Sequence, residues 1–196
     1  MVASAFLPTM IRGGKLHFLF AKEANDDSAP GFSDFGGGVD DGEDIYSAGL
    51  REFAEESTGC FGDESEVKKL VEKYGEVLPV VHNTYNIHIF KMDYNPSVVS
   101  YFNNTHAFIH KHVRDTTFLR KTKIFEKVEM CWMTVADMKR RRIEFRPFYR
   151  EIVDQIVSKD ELKRITSFIS KSGRSPGKSE KRRQRRTSSH RRTRRS

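Results

Sequence analysis

The stretch from Phe35 to Ser57 constrains the fold more than any other part of the chain. It runs from three successive glycines, Gly36, Gly37 and Gly38, into a segment, Ile45 to Ser57, whose periodicity predicts a helix with Asp44 as its N-cap. On that helix Glu52, Glu55 and Glu56 fall within an arc of about 100°. Tyr46, Gly49, Leu50 and Phe53 occupy a second arc, the face expected to pack on a sheet. The glutamates repel one another, no lysine lies on the helix, and Arg51 is the one basic side chain near them. Read as an exposed cluster, these carboxylates suit a hard divalent cation that takes oxygen ligands. The glycines let the backbone approach a ligand and aim a carbonyl at a metal. Three glutamates alone would better describe an acidic, solvated helix face.

The spacing decides between these readings. Gly37, Glu43, Arg51, Glu52, Phe53, Glu55 and Glu56 stand in the order and at the intervals of G-x5-E-x7-R-E-U-x-E-E, with U apolar. This resembles the Nudix box, the signature of the Nudix hydrolases. The box closes with a glycine two residues after its last glutamate; here Gly59 comes one residue late, after Ser57-Thr58, with Cys60 in the final apolar slot. The resemblance implies an α/β/α sandwich with a mixed sheet, in which the box forms a loop–helix–loop metal site. It also implies hydrolysis of a nucleoside diphosphate linked to another moiety, with Mg²⁺ or Mn²⁺ as cofactor. By motif position Glu52, Glu55 and Glu56 would be metal ligands and Gly36 would offer a backbone carbonyl. Arg51 would orient the glutamates, Glu43 would brace the loop, and Gly37 and Gly59 would shape its ends. The general base varies within the family: it is Glu52 or a glutamate of a later loop, for which Glu126 and Glu129 are the candidates here. Phe125-Glu126-Lys127 and Arg146-Pro147-Phe148 bear a slighter likeness to Nudix proteins of large DNA viruses.

The net charge of +8 over 196 residues is unevenly placed. From Lys171 to Ser196 there are 12 basic residues and one acid, Glu180, so this end carries +11 and the remainder −3. The end has no aliphatic or aromatic side chain to offset its ordering entropy, which predicts a Nudix domain over 1–170 and a disordered basic tail over 171–196. Such a tail binds RNA or another nucleic acid through phosphates, or serves as a nuclear signal. Two cysteines, Cys60 and Cys131, exclude a disulfide framework. No apolar run spans a membrane, and the first 12 residues lack a secretory pattern, so an intracellular protein, cytoplasmic or nuclear, is expected.

Lys15–Ala21, Leu78–His82, Asn86–Tyr94 and Val128–Thr134 read as strands. Glu64–Tyr74 reads as a helix closed by Gly75, and a further helix opens at Pro147 and continues to Ile169. Asn25–Ser33 reads as a loop, and Asn95–Lys123 receives no assignment. His82 and His88 read as structural, and core packing is favoured over base stacking for Phe35 and Trp132. The function expected is a Nudix pyrophosphohydrolase, leaning to hydrolysis of the mRNA cap (decapping) with the tail on the RNA. The alternatives are a small-nucleotide pyrophosphatase or a non-catalytic nucleotide-binding module of the same fold. Neither the substrate nor the oligomeric state is written in the sequence.

Overall fold

The strand at the centre of the sheet, β1 (Ala3–Arg12), received no assignment from the sequence. In the computed structural model, which describes residues 2–23, 29–113, 117 and 125–173, Ser4 to Met10 are buried without a break. Burial on both faces removes the alternation by which a strand is recognised. Pro8 compounds the difficulty, since proline cannot donate to a ladder. Its position resolves the conflict. The Ala3 N–H donates to the Thr84 carbonyl and the Thr9 carbonyl accepts from the Met92 N–H, so odd-numbered residues face one edge of β1. Pro8 faces the other edge, in the gap between two strands, one paired with β1 from Ala3 to Phe6 and the other from Thr9 to Arg12.

Those two strands are β4 (Phe35–Gly38), antiparallel to Ala3–Phe6, and β2 (Lys15–Glu23), antiparallel to Thr9–Arg12. The short β3 (Phe32–Ser33) pairs with Ala21 and Lys22 of β2. On the other edge of β1 lies β6 (Tyr85–Lys91), parallel to it, followed by β5 (Leu78–His82). The outer strand β7 (Lys127–Thr134) is antiparallel to β2 and completes a mixed seven-stranded sheet. The expected loop over Asn25–Ser33 thus ends in strand β3, while residues 24–28 lie outside the described residues.

Helices cover both faces, as an α/β/α sandwich requires. On one face α1 (Ile45–Glu56), α2 (Glu64–Glu72) and α3 (Pro96–His112) pack Leu50, Phe53, Val67 and Phe102 against Phe6, Leu19 and Phe35. On the other, α4 (Val135–Arg140), α5 (Tyr149–Ile156) and α6 (Lys159–Lys171) bury Met138, Ile152, Ile156 and Ile165 against Phe18, Phe20 and Met133. Phe35 is therefore a core side chain, edge-on to Phe53 at 4.9 Å.

One expectation about the helices needs correction. The helix expected from Pro147 is two helices: α5 stops at Ile156, and Ser158 starts α6 by accepting the Glu161 N–H. The unassigned segment contains helix α3, which begins at the Asn95 cap and Pro96, while its residues 114–116 and 118–123 lie outside the described residues. The only buried positions of α3 are Phe102 and His106, too few for a periodic signal. Two residues beyond α6 still contact the sheet side of the molecule and α2's end. Ser172 gives its carbonyl to Lys91 Nζ at 2.7 Å, and the Gly173 N–H donates to the Tyr74 carbonyl. The basic tail from residue 174 lies outside the described residues.

At Met130 the outer edge of β7 meets the side chain of Asn103 on α3. The carboxamide donates to the Met130 carbonyl at 3.0 Å and accepts from its N–H at 2.7 Å. Among the described residues no helix is long and apolar enough to cross a membrane.

Candidate active site

Asp44 starts the box helix by accepting from the N–H groups of Tyr46 and Ser47, both at 3.0 Å. Gly49 then lets α1 rest directly on β1: a Cβ at this position would lie 2.7 Å from Ser4 Oγ and 2.9 Å from the Phe6 ring. This close seating carries the glutamate arc up against the glycine strand β4. At Gly37 a Cβ would lie 2.5 Å from the Glu52 carboxyl carbon, so a side chain there would push that carboxylate aside.

Arg51 ties loop and helix together. Its Nε and Nη2 donate to the two oxygens of Glu43 at 3.1 and 3.0 Å, a bidentate pair, and Nη2 also donates to the Gly38 carbonyl at 3.1 Å. Nη1 donates to Glu52 Oε1 at 2.8 Å and lies 3.7 Å from Glu55 Oε2. The guanidinium holds the Glu43 carboxyl below its ordinary range, chiefly by these hydrogen bonds. Gly37, Glu43, Arg51, Glu52 and Glu55 are thus brought together around one side chain.

Glu56 departs from the exposed cluster read from the sequence. It is buried at 6% exposure, while the Glu55 side chain is 56% exposed. Its Oε2 accepts from the Gly36 N–H at 2.8 Å, so Gly36 meets the cluster here through its amide. Its Oε1 lies 3.2 Å from Nζ of Lys127, a lysine that reaches the helix from β7. Burial pushes the Glu56 carboxyl up, against the pull of Lys127 and the Gly36 amide. Burial works against the Lys127 ammonium too, but the charges of Glu56 and Glu23 outweigh it and hold Lys127 above its ordinary value.

The two later glutamates part company. Glu126 lies exposed in the turn immediately before Lys127, at the cluster's end of β7. Glu129 pairs in register with Lys22, whose ammonium lies over the Phe32 ring in the core of the opposite face. Side chains paired across a ladder share a face, so the structure does not bring Glu129 to the box carboxylates. A β-bulge is the cause: the register shifts between Lys22 and Glu23, so that Glu23 faces Lys127. Simple alternation would have put Lys127 and Glu129 on one face; the extra residue re-aims Lys127.

The box helix ends in two consecutive left-handed residues, Thr58 at φ +54° and Gly59 at φ +67°. Thr58 stands where the box has its glycine. An open cleft of about 490 Å³ beside the helix is lined by Arg51, Ala54, Glu55, Gly59, Gly62, Asp63 and Glu64. Behind β4, Asp34 is fully buried and accepts from the Tyr85 hydroxyl at 2.6 Å; burial pushes its carboxyl up to about 6. His82 bonds Gln155, and His88 packs between Phe6 and Tyr46, both structural placements.

The donors Glu52, Glu55 and Glu56 are hard oxygens on one helix, which fits a divalent cation such as Mg²⁺ or Mn²⁺. Among the described residues, no group of three or more acidic, histidine or cysteine side chains is already drawn together for an ion. Arg51 and Lys127 are the cations on these carboxylates instead.

The chain is similar in structure to the Ap4A hydrolase of C. elegans in a binary complex, at 17% identity and a TM-score of 0.43, over 86% of this chain and 96% of that one. It is also similar to the NUDIX domain of Shewanella oneidensis NrtR complexed with ADP ribose, at 13% identity and a TM-score of 0.46, over 79% and 84% of the two chains. For the Nudix hydrolase RenU of M. smegmatis the values are 14% and 0.46, over 86% and 88%. No curated protein matches the sequence. The family profile of the NUDIX domain matches residues 3–156, from the central strand to the end of α5. With that match and a complete Gly-Glu-Arg-Glu-Glu-Glu set gathered on one loop and helix, the chain belongs to the Nudix family, hydrolases of phosphoanhydride bonds.

Proposed function

We propose that the protein is a divalent-metal-dependent pyrophosphohydrolase acting on a nucleoside diphosphate within a larger molecule, and that this molecule is capped RNA. The observation that carries the metal site is the Arg51 fork, which holds Glu43 and Gly38 of the loop and Glu52 of the helix in one array. Glu52, Glu55 and Glu56 would hold Mg²⁺ or Mn²⁺, which when bound neutralises phosphate oxygens and activates a water for attack on phosphorus. The chain's own contribution is positional. Arg51 keeps Glu52 against Gly37, and the Gly36 amide with Lys127 fixes the rotamer of Glu56. Glu126 is the proposed proton acceptor among the later glutamates, because it is exposed and directly adjoins Lys127, which contacts Glu56.

RNA is favoured over a free nucleotide because a hydrolase of small nucleotides has no physical use for a +11 extension. A hydrolysis screen with Mg²⁺ and Mn²⁺ across cap-labelled RNA, nucleoside triphosphates, nucleotide sugars and dinucleoside polyphosphates tests the reading. Release of the labelled cap nucleotide is expected. Turnover of free nucleotides alone would leave the tail as an address signal, and no turnover of any would leave a binding module.

A further inference from the structure

β7 opens with a lysine whose side chain has no accessible surface. Its Nζ lies 2.5 Å from Glu23 Oε1, 2.9 Å from Ser33 Oγ and 3.2 Å from Glu56 Oε1. An ammonium has three donors, and here each has an acceptor. Glu23 is buried as well and is shared with Arg146, whose Nη1 lies 2.6 Å from the same Oε1. Two cations and two anions therefore balance beneath the box helix. Burying a lone lysine is costly, and a bulge has been spent to place this one. A structural ion pair between β2 and β7 would need only Glu23; the contact to Glu56 reaches a third element and a carboxylate of the box.

We propose that Lys127 is a resident counter-cation of the box: it neutralises Glu56 from the sheet side and so holds down the affinity of the carboxylate cluster for divalent metal. This rests on the reading of Glu52, Glu55 and Glu56 as the metal-binding set. Lys127 touches no substrate and is a positioning residue. Its charge keeps the cluster folded without relying on an exchangeable ion, and it tunes how tightly such an ion is held. Glu23 opposes it, because the more Glu23 compensates the ammonium, the less positive the site is to an arriving cation.

The variants Lys127→Met and Glu23→Gln therefore move metal affinity in opposite directions. Mn²⁺ binding to the full chain is measured from the electron paramagnetic resonance of free Mn²⁺, with no substrate present. Relative to wild type, K127M is expected to bind Mn²⁺ at least about tenfold more tightly, and E23Q about threefold more weakly, as Coulomb's law at a partly buried site requires. Because K127M leaves Glu56 buried without its partner, its melting temperature should also rise more on Mn²⁺ addition than that of wild type. A K127M chain that folds only with Mn²⁺ would support the proposal equally. Should K127M fail to fold at all, E23Q decides alone, and an unchanged or tighter affinity overturns the proposal. Wild type that binds Mn²⁺ while both folded variants match it overturns this inference and leaves the metal reading standing. Wild type that binds no Mn²⁺ overturns both.

Discussion

The hydroxyl of Thr58 lies 3.2 Å from Nε2 of His106, and this contact joins the end of the box helix to α3. His106 is 1% exposed, stacked on Phe102 at 4.0 Å and edge-on to Phe125 at 5.2 Å. A β-branched residue at φ +54° is unusual. The residue that should relieve it, Gly59, comes one place later. The contact from α3 holds the threonine where a glycine would sit unaided.

Replacing each partner separates strain from packing. Thr58→Gly gives up a hydrogen bond of about 1 kcal/mol but releases left-handed strain of about 1–2 kcal/mol, so stability should stay within about 1 kcal/mol of wild type. His106→Ala opens a cavity between two aromatic rings and should cost about 3 kcal/mol. Urea unfolding of both variants checks this. A Thr58→Gly variant as unstable as His106→Ala would show that the hydroxyl, not the ring, carries the contact.

Acid should loosen the same joint. Burial, with His110 nearby, pushes His106 down to about 4, below its ordinary value near 6.5. The unfolded chain therefore takes up the proton first. This contribution to stability is complete above about pH 6.5 and is lost as the pH falls towards 4. Melting temperatures of wild type and His106→Gln, followed from pH 7.5 to 4.5, should converge as the pH drops. Parallel curves would exclude His106 as the titrating group.

Glu52→Gln and Glu56→Gln should both lower kcat, by about 10²–10³-fold, if each carboxylate serves the transition state. Their stabilities should differ. An exposed Glu56 would have lost only repulsion on neutralisation. A glutamine at the buried position keeps one acceptor oxygen but loses the other and the charge that faces Lys127, so Glu56→Gln should cost about 1–3 kcal/mol. Denaturant midpoints at low metal concentration measure the difference.

Removal of residues 174–196 tests the substrate. The cut spares Ser172 and Gly173, which bind Lys91 and Tyr74. KM for capped RNA should rise with kcat nearly unchanged, since the extension adds uniform binding. If about five phosphates are engaged, the salt dependence lost with it should have a log–log slope near −3.5, at about 0.7 per phosphate. Hydrolysis of a free nucleotide should not change.

The box was legible because its chemistry is local: Asp44, Arg51 and the glutamates lie within one turn–helix unit, and their spacing alone placed α1. Strand β5 was legible for a similar reason, being short and bounded. What escaped depends on distant neighbours. β1 was hidden by Pro8, which is tolerated because the pairing with β4 stops at Phe6 and that with β2 starts at Thr9. α3 was hidden because one of its two buried residues is a histidine. Lys127 and Glu23 stand 104 positions apart, and a bulge brings them face to face while turning Glu129 away. Periodicity without the bulge gives the wrong face for Lys127.

The carboxamide of Asn103 acts on Met130 as an adjoining strand would, satisfying both the N–H and the carbonyl of that residue on the outer edge of β7. An open strand edge is a template for other chains, and proteins guard theirs in different ways. Here the guard is a side chain on the same helix that carries His106. The docking of α3 and the closure of the sheet are therefore a single event. Release of α3 would therefore bare the Met130 edge of β7 to pairing with another chain.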